Sequence, residues 1–272
     1  MRAMREQLQN RLRSLLVMEL FDSLLDDETL VRRSETALPA VLARHGELRR
    51  AYRSLLATLV VPDRRLTELA RQIPPDASVP VSVIISGGAG GLLAVTRHHA
   101  PGVDIAAVEP TLRDLDDLAG SAARVVSAAG ELGPEITVFI ELPYVPGWEA
   151  AVELIEAAGL CGKIAASNAA PRQLVEQLSI LIEADLPFKI TGSRNGDWSS
   201  LLLAVEALVA GTGLDDAAEL MRPDNHDRIS DPMSSWNQTT QSRVRRRLRR
   251  LGTDQVHQAV SDLTMYGGLP AN

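Results

Sequence analysis

The chain has 272 residues, of which 45% are hydrophobic and 23% charged, so it can bury a substantial core and is not a disordered tail. Its net charge of -7 and its 3% aromatic content argue against a nucleic-acid-binding platform, which needs basic patches and stacking rings. A single cysteine, Cys161, excludes a disulfide framework and a multi-cysteine metal site, and the five histidines show no metal-ligand spacing.

The amino-terminal segment, residues 1–55, carries a helical pattern. Leucines recur there at steps of three and four among charged residues, and Leu24, Leu25 and Leu30 continue the series. This spacing predicts a helical N-terminal arm. No apolar run in the chain reaches the roughly 18 residues of a membrane span, and the first residues do not form a signal-peptide core. We therefore expect a cytoplasmic protein without membrane attachment.

The central segment, residues 56–220, changes period: short runs rich in Val and Ile alternate with helical patterns. Strands are predicted at 57–61, 81–86, 103–109, 136–142, 161–167 and 188–192. Helices are predicted between and after them, at 64–72, 90–98, 112–129, 148–158, 171–184 and 198–210. Parallel strands need crossovers of this length, so the order predicts an α/β fold. Its core would be a parallel barrel-like or partial barrel of about six βα units.

The last segment, residues 221–272, begins as a polar loop and continues with helical patterns at 243–251 and 253–266. We expect these helices to pack on the core. Six of the eight residues at 243–250 are arginines, a basic run that is typical of a solvated helix face rather than of a nucleic-acid site in so acidic a chain.

Lysine is rare in this chain: only two of the 28 basic residues are lysine, Lys163 and Lys189, and both fall inside predicted strands. Alternate residues of a strand share a face. Most of the branched aliphatic residues lie on the strand faces that would contact the outer helices. The opposite faces carry Lys163, Lys189, Glu109 and Glu141. We predict that all four point into the barrel and are catalytic, because active sites of parallel barrels lie at the carboxyl ends of the strands.

A purely structural interpretation of these four residues stays open. Glutamate and lysine are rarely buried unless paired, so the same pattern also fits an internal ion-pair network that only fixes the barrel register. The loop after Lys189 offers further polar groups near the same rim. We predict that Ser193, Arg194 and Asn195 bind the substrate or an anion there. The pattern calls for no metal and no redox cofactor.

Several short motifs resemble landmarks of a largely uncharacterised actinobacterial family of α/β-barrel-like proteins. They cover nearly the whole chain: Leu20-Phe21-Asp22-Ser23-Leu24-Leu25-Asp26-Asp27, Leu59-Val60-Val61-Pro62, Ile140-Glu141-Leu142-Pro143, Gly162-Lys163-Ile164, Pro187-Phe188-Lys189-Ile190-Thr191-Gly192, Leu201-Leu202-Leu203-Ala204, Asp262-Leu263 and Gly268-Leu269. The chain departs from that pattern in three places, at Leu30-Val31-Arg32-Arg33, at residues 165–168 and at Arg194-Asn195. The two lysines match the family pattern, while residues expected at the rim of the barrel differ from it. The resemblance therefore implies a family member that acts on a different substrate, as in specialised metabolism.

The chain is also similar to the aziridine-forming enzymes of azinomycin-type antibiotic biosynthesis. That resemblance implies a lyase that closes an aziridine ring by expelling sulfate, acting with a small accessory protein subunit. The residues suit such chemistry, since an amine must lose a proton and a departing oxyanion needs cations. We therefore hypothesise an enzyme that displaces or eliminates an anionic leaving group from a small zwitterionic or anionic metabolite. The alternatives are a lysine Schiff-base aldolase or decarboxylase and a non-catalytic binding or scaffold subunit.

Overall fold

A computed structural model describes residues 19–96, 101–167, 169–192, 198–222 and 233–266. Eight parallel strands close into a barrel in which each strand pairs with the next along the chain and the eighth pairs with the first. The strands are β1 (Leu25–Asp27), β2 (Leu56–Pro62), β3 (Val79–Ile85), β4 (Val103–Pro110), β5 (Thr137–Glu141), β6 (Cys161–Ala165), β7 (Phe188–Thr191) and β8 (Leu248–Thr253).

Helices connect the strands and surround them. They are α1 (Thr29–Arg32), α2 (Leu38–Ala51), α3 (Leu66–Gln72), α4 (Gly88–Thr96), α5 (Leu118–Ala129), α6 (Trp148–Ala157), α7 (Pro171–Glu183), α8 (Trp198–Val209), α9 (Leu214–Glu219), α10 (Gln238–Arg247) and α11 (Val256–Tyr266). Short 3-10 turns lie at Asp63–Arg65 and Met233–Ser235. The predicted α/β fold with a parallel barrel is confirmed, and the barrel is closed.

The alternation of side chains along each strand separates two environments. Residues such as Ile140, Ile164 and Ile190 are fully buried in the hydrophobic core. Helix α7 shows the matching pattern, because its buried residues Leu174, Leu178 and Leu181 recur at three- and four-residue steps. Pro171 occupies the first turn of α7, where a missing N–H costs nothing. The apolar residues therefore hold the helices on the outside, and the polar strand residues are left for the interior.

The expected number of about six βα units was wrong, since the barrel has eight strands. Strand β1 lies within the predicted helical arm, and β8 begins inside the helix predicted at 243–251 and extends to the start of the next one. In β1 the leucines fit a helical spacing, but Ser23 has a φ of 50°, which ends the preceding helical turn and directs the chain into a strand. Helix α10 ends at Arg247, and Leu248 pairs with Phe188 of β7. The barrel thus extends into both flanking segments.

Candidate functional site

Each of the eight strands contributes one polar side chain to a connected cluster inside the barrel, which we call the interior network. Its members are Asp26, Thr58, Ser82, Glu109, Glu141, Lys163, Lys189 and Arg250, in the order of the strands. The strand register aligns several of them directly, since Glu141 is opposite Lys163, Lys163 opposite Lys189, and Lys189 opposite Arg250.

Lys189 lies at the dry centre of the interior network. Its ammonium is 2.7 Å from Oδ2 of Asp26 and 2.7 Å from Oε1 of Glu109, and the side chain has no exposed surface. It also lies 5.9 Å from the centre of the Phe139 ring, within the range of a cation–π contact. Burial alone would lower the pKa of Lys189, but the carboxylates of Asp26 and Glu109 outweigh it and raise the pKa. Lys189 is therefore a permanent cation at neutral pH.

Glu109 joins the two lysines. Its Oε1 meets Lys189, and its Oε2 is 2.9 Å from the ammonium of Lys163. Ser82 donates a hydrogen bond of 2.5 Å to the same Oε1. Burial raises the pKa of a carboxyl group, but here the ammonium groups of Lys163 and Lys189 hold the pKa of Glu109 well below its usual range. Glu109 therefore stays ionised and is unsuited to exchange a proton near neutral pH.

Lys163 connects the buried centre of the network to Glu141, which is exposed to solvent. Its side chain is 5% exposed and its ammonium donates to Oε2 of Glu141 at 3.0 Å, while the Glu141 side chain is 40% exposed. Burial works to lower the pKa of Lys163, but Glu109 and Glu141 raise it. An ammonium has three N–H donors, and two carboxylates contact this one. One N–H of Lys163 thus has no acceptor among the described residues.

A pocket opens beside Glu141 at the carboxyl ends of β5 and β6. Its volume is about 240 Å³, and it lies between the two loops that follow these strands. The residues that line it are Glu141, Leu142, Pro143, Tyr144, Ala165, Ser167, Ala169, Gln173 and Gln177. Glu141 is thus the network member that lines the pocket, and Lys163 lies behind it, paired with its carboxylate.

Charges alternate along the interior network. Each charged group contacts the next in the order Arg250, Asp26, Lys189, Glu109, Lys163 and Glu141. The five nitrogen–oxygen distances in that order are 3.5, 2.7, 2.7, 2.9 and 3.0 Å. Thr58 adds a hydrogen bond of 2.6 Å to Asp26. Three cations match three carboxylates, so the buried charge is balanced, which buried ions require.

The carboxyl end of β1 adds a second polar group to the mouth of the barrel. Asp27 accepts hydrogen bonds from Thr29 and from Nδ1 of His45 at 3.0 Å. Burial raises the pKa of Asp27, but the hydrogen bonds from His45 and Thr29 lower it overall. Glu28 accepts from Thr191 and, at 3.2 Å, from Nε of Arg32. A carboxylate thus caps the barrel between β1 and β7.

Glycine makes room for that cap. Gly252 of β8 lies against Glu28, and a Cβ atom there would overlap the Glu28 carboxylate and lie 3.2 Å from its Cγ. The inward position on β8 after Arg250 is therefore small so that the side chain from β1 can enter the mouth.

The structure brings together all four residues that the strand pattern singled out, Glu109, Glu141, Lys163 and Lys189. Their catalytic role stays a prediction, and the burial of Lys189 shows that it does not line the pocket. Ser193, Arg194 and Asn195 lie outside the described residues.

Sequence reasoning missed several members, among them Asp26, Thr58, Ser82 and Arg250. The signal for Asp26 was the pair of acids that ends an apolar run at Leu24-Leu25-Asp26-Asp27, which helical spacing obscured.

The described residues contain neither a membrane-spanning helix nor a metal-binding cluster of acidic, histidine or cysteine side chains. No helix in these parts of the chain is long and apolar enough to cross a membrane. Within the same residues, no group of three or more His, Cys, Asp or Glu side chains has an arrangement that could hold a metal ion.

No protein-family model matches the chain, and no curated protein sequence matches it. Solved structures of the carboxyl transferase domain of Rhizobium etli pyruvate carboxylase are similar in fold. The complex with oxamate and biotin has a TM-score of 0.46 and 13% identity and covers 98% of this chain and 52% of that one. A second structure of that domain gives 0.46 and 14%, and a complex with 3-hydroxypyruvate gives 0.43 and 13%. The chain thus spans about half the length of the solved chains it matches.

Proposed function

We propose that the protein is an enzyme that acts on a small zwitterionic or anionic metabolite and displaces or eliminates an anionic leaving group. One observation carries the proposal: a half-exposed carboxylate, Glu141, lines a small pocket and is paired with the buried ammonium of Lys163, which has one N–H without an acceptor among the described residues. A free N–H on a permanent cation suits an oxyanion. The free oxygen of the carboxylate suits an ammonium or a proton.

Each residue has a distinct part in this chemistry. Glu141 holds the substrate ammonium and accepts its proton, because its Oε1 makes no hydrogen bond or ion pair with a described residue and the side chain is 40% exposed. Lys163 stabilises the negative charge that grows on the departing group. Lys189 is a positioning residue, since its ion pairs are with Glu109 and Asp26 and, unlike Lys163, it pairs with no residue that lines the pocket. Glu109 in turn fixes the ammonium of Lys163.

The sharpest form of the proposal is aziridine formation with loss of sulfate, in keeping with the family resemblance. The amine nitrogen forms a bond to the carbon that carries a sulfate ester, and the carbon–oxygen bond breaks. Sulfate leaves with the electron pair, and the proton of the amine passes to Glu141. The pocket of about 240 Å³ has room for a small metabolite only. A small accessory subunit is included in the test below because the resemblance implies such a partner.

The lysines do not suit Schiff-base chemistry. A nucleophilic lysine must be neutral, and lysines of that kind have a lowered pKa. The carboxylates around Lys163 and Lys189 instead raise the pKa of both. A scaffold subunit would need the interior network as a structural element but would need neither the pocket nor the free N–H of Lys163.

Anion release from candidate substrates tests the proposal. The protein is incubated with amino sulfate esters and related pathway intermediates, with and without the products of neighbouring genes, and sulfate and cyclised product are followed by mass spectrometry. We expect Glu141→Gln to lower the rate by about 100-fold, the size typical of a lost general base. Glu149→Gln removes the charge of an exposed glutamate at the start of α6 and is expected to leave the rate unchanged.

Two results would contradict this account. One is equal activity in Glu141→Gln and Glu149→Gln. The other is a lysine adduct trapped by borohydride in the presence of substrate, which would favour the Schiff-base alternative.

A further inference from the structure

Arg32 is a cation at the mouth of the barrel that the proposed chemistry does not use. It ends the short helix α1, directly after β1, and its side chain is 28% exposed. Its Nε donates to Oε2 of Glu28 at 3.2 Å. The two terminal nitrogens, which carry four N–H groups, make no hydrogen bond or ion pair with any residue in the described parts of the chain. The guanidinium of Arg32 is thus held through Nε, and its two terminal nitrogens can donate hydrogen bonds to a ligand.

Glycine places this guanidinium next to the pocket. A Cβ atom built on Gly192, which follows β7, would overlap the guanidinium of Arg32 and lie 2.9 Å from its Cζ. The same point is 3.0 Å from Cβ of Ser167, and Ser167 lines the pocket beside Glu141. Arg32 and Ser167 are therefore neighbours across Gly192. Only a residue without a side chain leaves room for the guanidinium at this place.

Glu28 explains why the guanidinium stays in position. Its side chain is only 3% exposed, and its Oε1 accepts from Thr191 of β7 while its Oε2 holds Arg32. A buried carboxylate fixed at both oxygens orients the planar guanidinium. A guanidinium held in one orientation can bind a carboxylate, sulfate or phosphate through two parallel N–H hydrogen bonds. The neighbouring Arg33 differs, because its side chain is 52% exposed and its Nε pairs with Asp254 instead.

We infer that Arg32 binds an oxyanion of the substrate, either its carboxylate or the group that departs. The inference deepens the proposed function, on which it rests, and adds a second anion contact on the β1–β7 side of the pocket. The substrate would then carry its ammonium against Glu141 and an oxyanion against Arg32.

Equilibrium dialysis with inorganic anions tests the inference without the substrate. Radiolabelled sulfate and acetate are measured separately with the full-length protein at fixed ionic strength, which keeps screening constant. We expect saturable binding that Arg32→Gln weakens at least about tenfold, as expected for loss of a bidentate charged contact. Arg33→Gln removes the same charge one residue away and is expected to change binding less than twofold. If sulfate binding depends on Arg32, the residue contacts the departing group of the substrate. If acetate binding depends on it, the residue contacts the substrate carboxylate.

A second variant keeps the charge but moves the guanidinium. Gly192→Ala is expected to weaken anion binding as well, because the added methyl group would occupy the space of the guanidinium. Circular dichroism and thermal melting establish that each variant is folded. The inference is overturned if wild-type protein shows no saturable binding, if Arg32→Gln and Arg33→Gln weaken binding equally, or if Lys163→Met removes binding and Arg32→Gln does not. Binding that depends on Arg32 without turnover of any sulfate ester would support this inference and contradict the proposed function.

Discussion

Lys189→Met is expected to lower the free energy of unfolding by about 3 to 5 kcal/mol, the range found when one partner of a buried ion pair is removed. The substitution leaves Asp26 and Glu109 facing each other in the barrel with their central cation gone, and both side chains are at most 2% exposed. Each of these two buried carboxylates then keeps only one cation, Arg250 for Asp26 and Lys163 for Glu109, and the lost pairing is costly because water cannot replace it there. Urea unfolding followed by circular dichroism at pH 7 measures the effect.

A surface pair provides the matched control for that substitution. Arg246 contacts Asp185 with side chains that are 62% and 49% exposed, and exposed pairs contribute less than about 1 kcal/mol. Arg246→Met should therefore change stability little. Adding Asp26→Asn to Lys189→Met should recover part of the lost free energy of unfolding, because it removes one of the two carboxylates that have lost the Lys189 cation. A loss from Lys189→Met no larger than that from Arg246→Met would contradict the description of the network as a buried unit.

Lys163→Met is expected to lower the rate of anion release by about 100-fold to 1,000-fold, the usual effect of removing one preorganised donor to a developing negative charge. The steady-state kcat carries the effect, since the contact matters most when the leaving group becomes an anion. The assay is run well below the melting temperature of the variant, because removing Lys163 also leaves Glu109 with one cation instead of two.

Comparison with Arg32→Gln separates the two cations. If Arg32 holds the substrate from the start, Arg32→Gln raises KM and lowers kcat less than Lys163→Met does. Full activity of folded Lys163→Met would remove Lys163 from the mechanism and leave the scaffold interpretation in place.

The inward orientation of four network members could be predicted from sequence because strand geometry is local. Side chains alternate with a period of two, so placing the aliphatic residues against the helices places Lys163 and Glu141 inside. Lys189 and Glu109 follow from the same rule. The rule holds where a strand is long enough to show its period, and strands β4, β5, β6 and β7 are of that kind.

The ends of the barrel could not be predicted in this way. Strand β1 has three residues, too few to establish alternation, and its leucines match a helix equally well. Strand β8 contains Arg249 and Arg250, which argue against a buried strand until the partner of Arg250 is known. That partner is Asp26, and it lies 224 residues away in sequence. Tertiary pairing of this kind decides which charges are buried, and no local pattern reports it.

Nuclear magnetic resonance of the lysine side chains tests the central claim, that both ammonium groups are permanent cations held by carboxylates inside the barrel. The chain has only two lysines, so protein grown with lysine labelled with carbon-13 at the ε carbon gives two signals, assigned with Lys163→Met and Lys189→Met. Raised pKa values in the folded state keep both groups charged up to and beyond the ordinary value of 10.5, and the stability they contribute is lost only as the pH rises past it.

The titration runs from pH 7 to pH 10.5, with circular dichroism to follow folding. We expect that neither signal reaches its midpoint in this range while the protein is folded. A midpoint within the range for either lysine would contradict the paired network, since the carboxylates would then fail to raise the pKa of that lysine above its ordinary value.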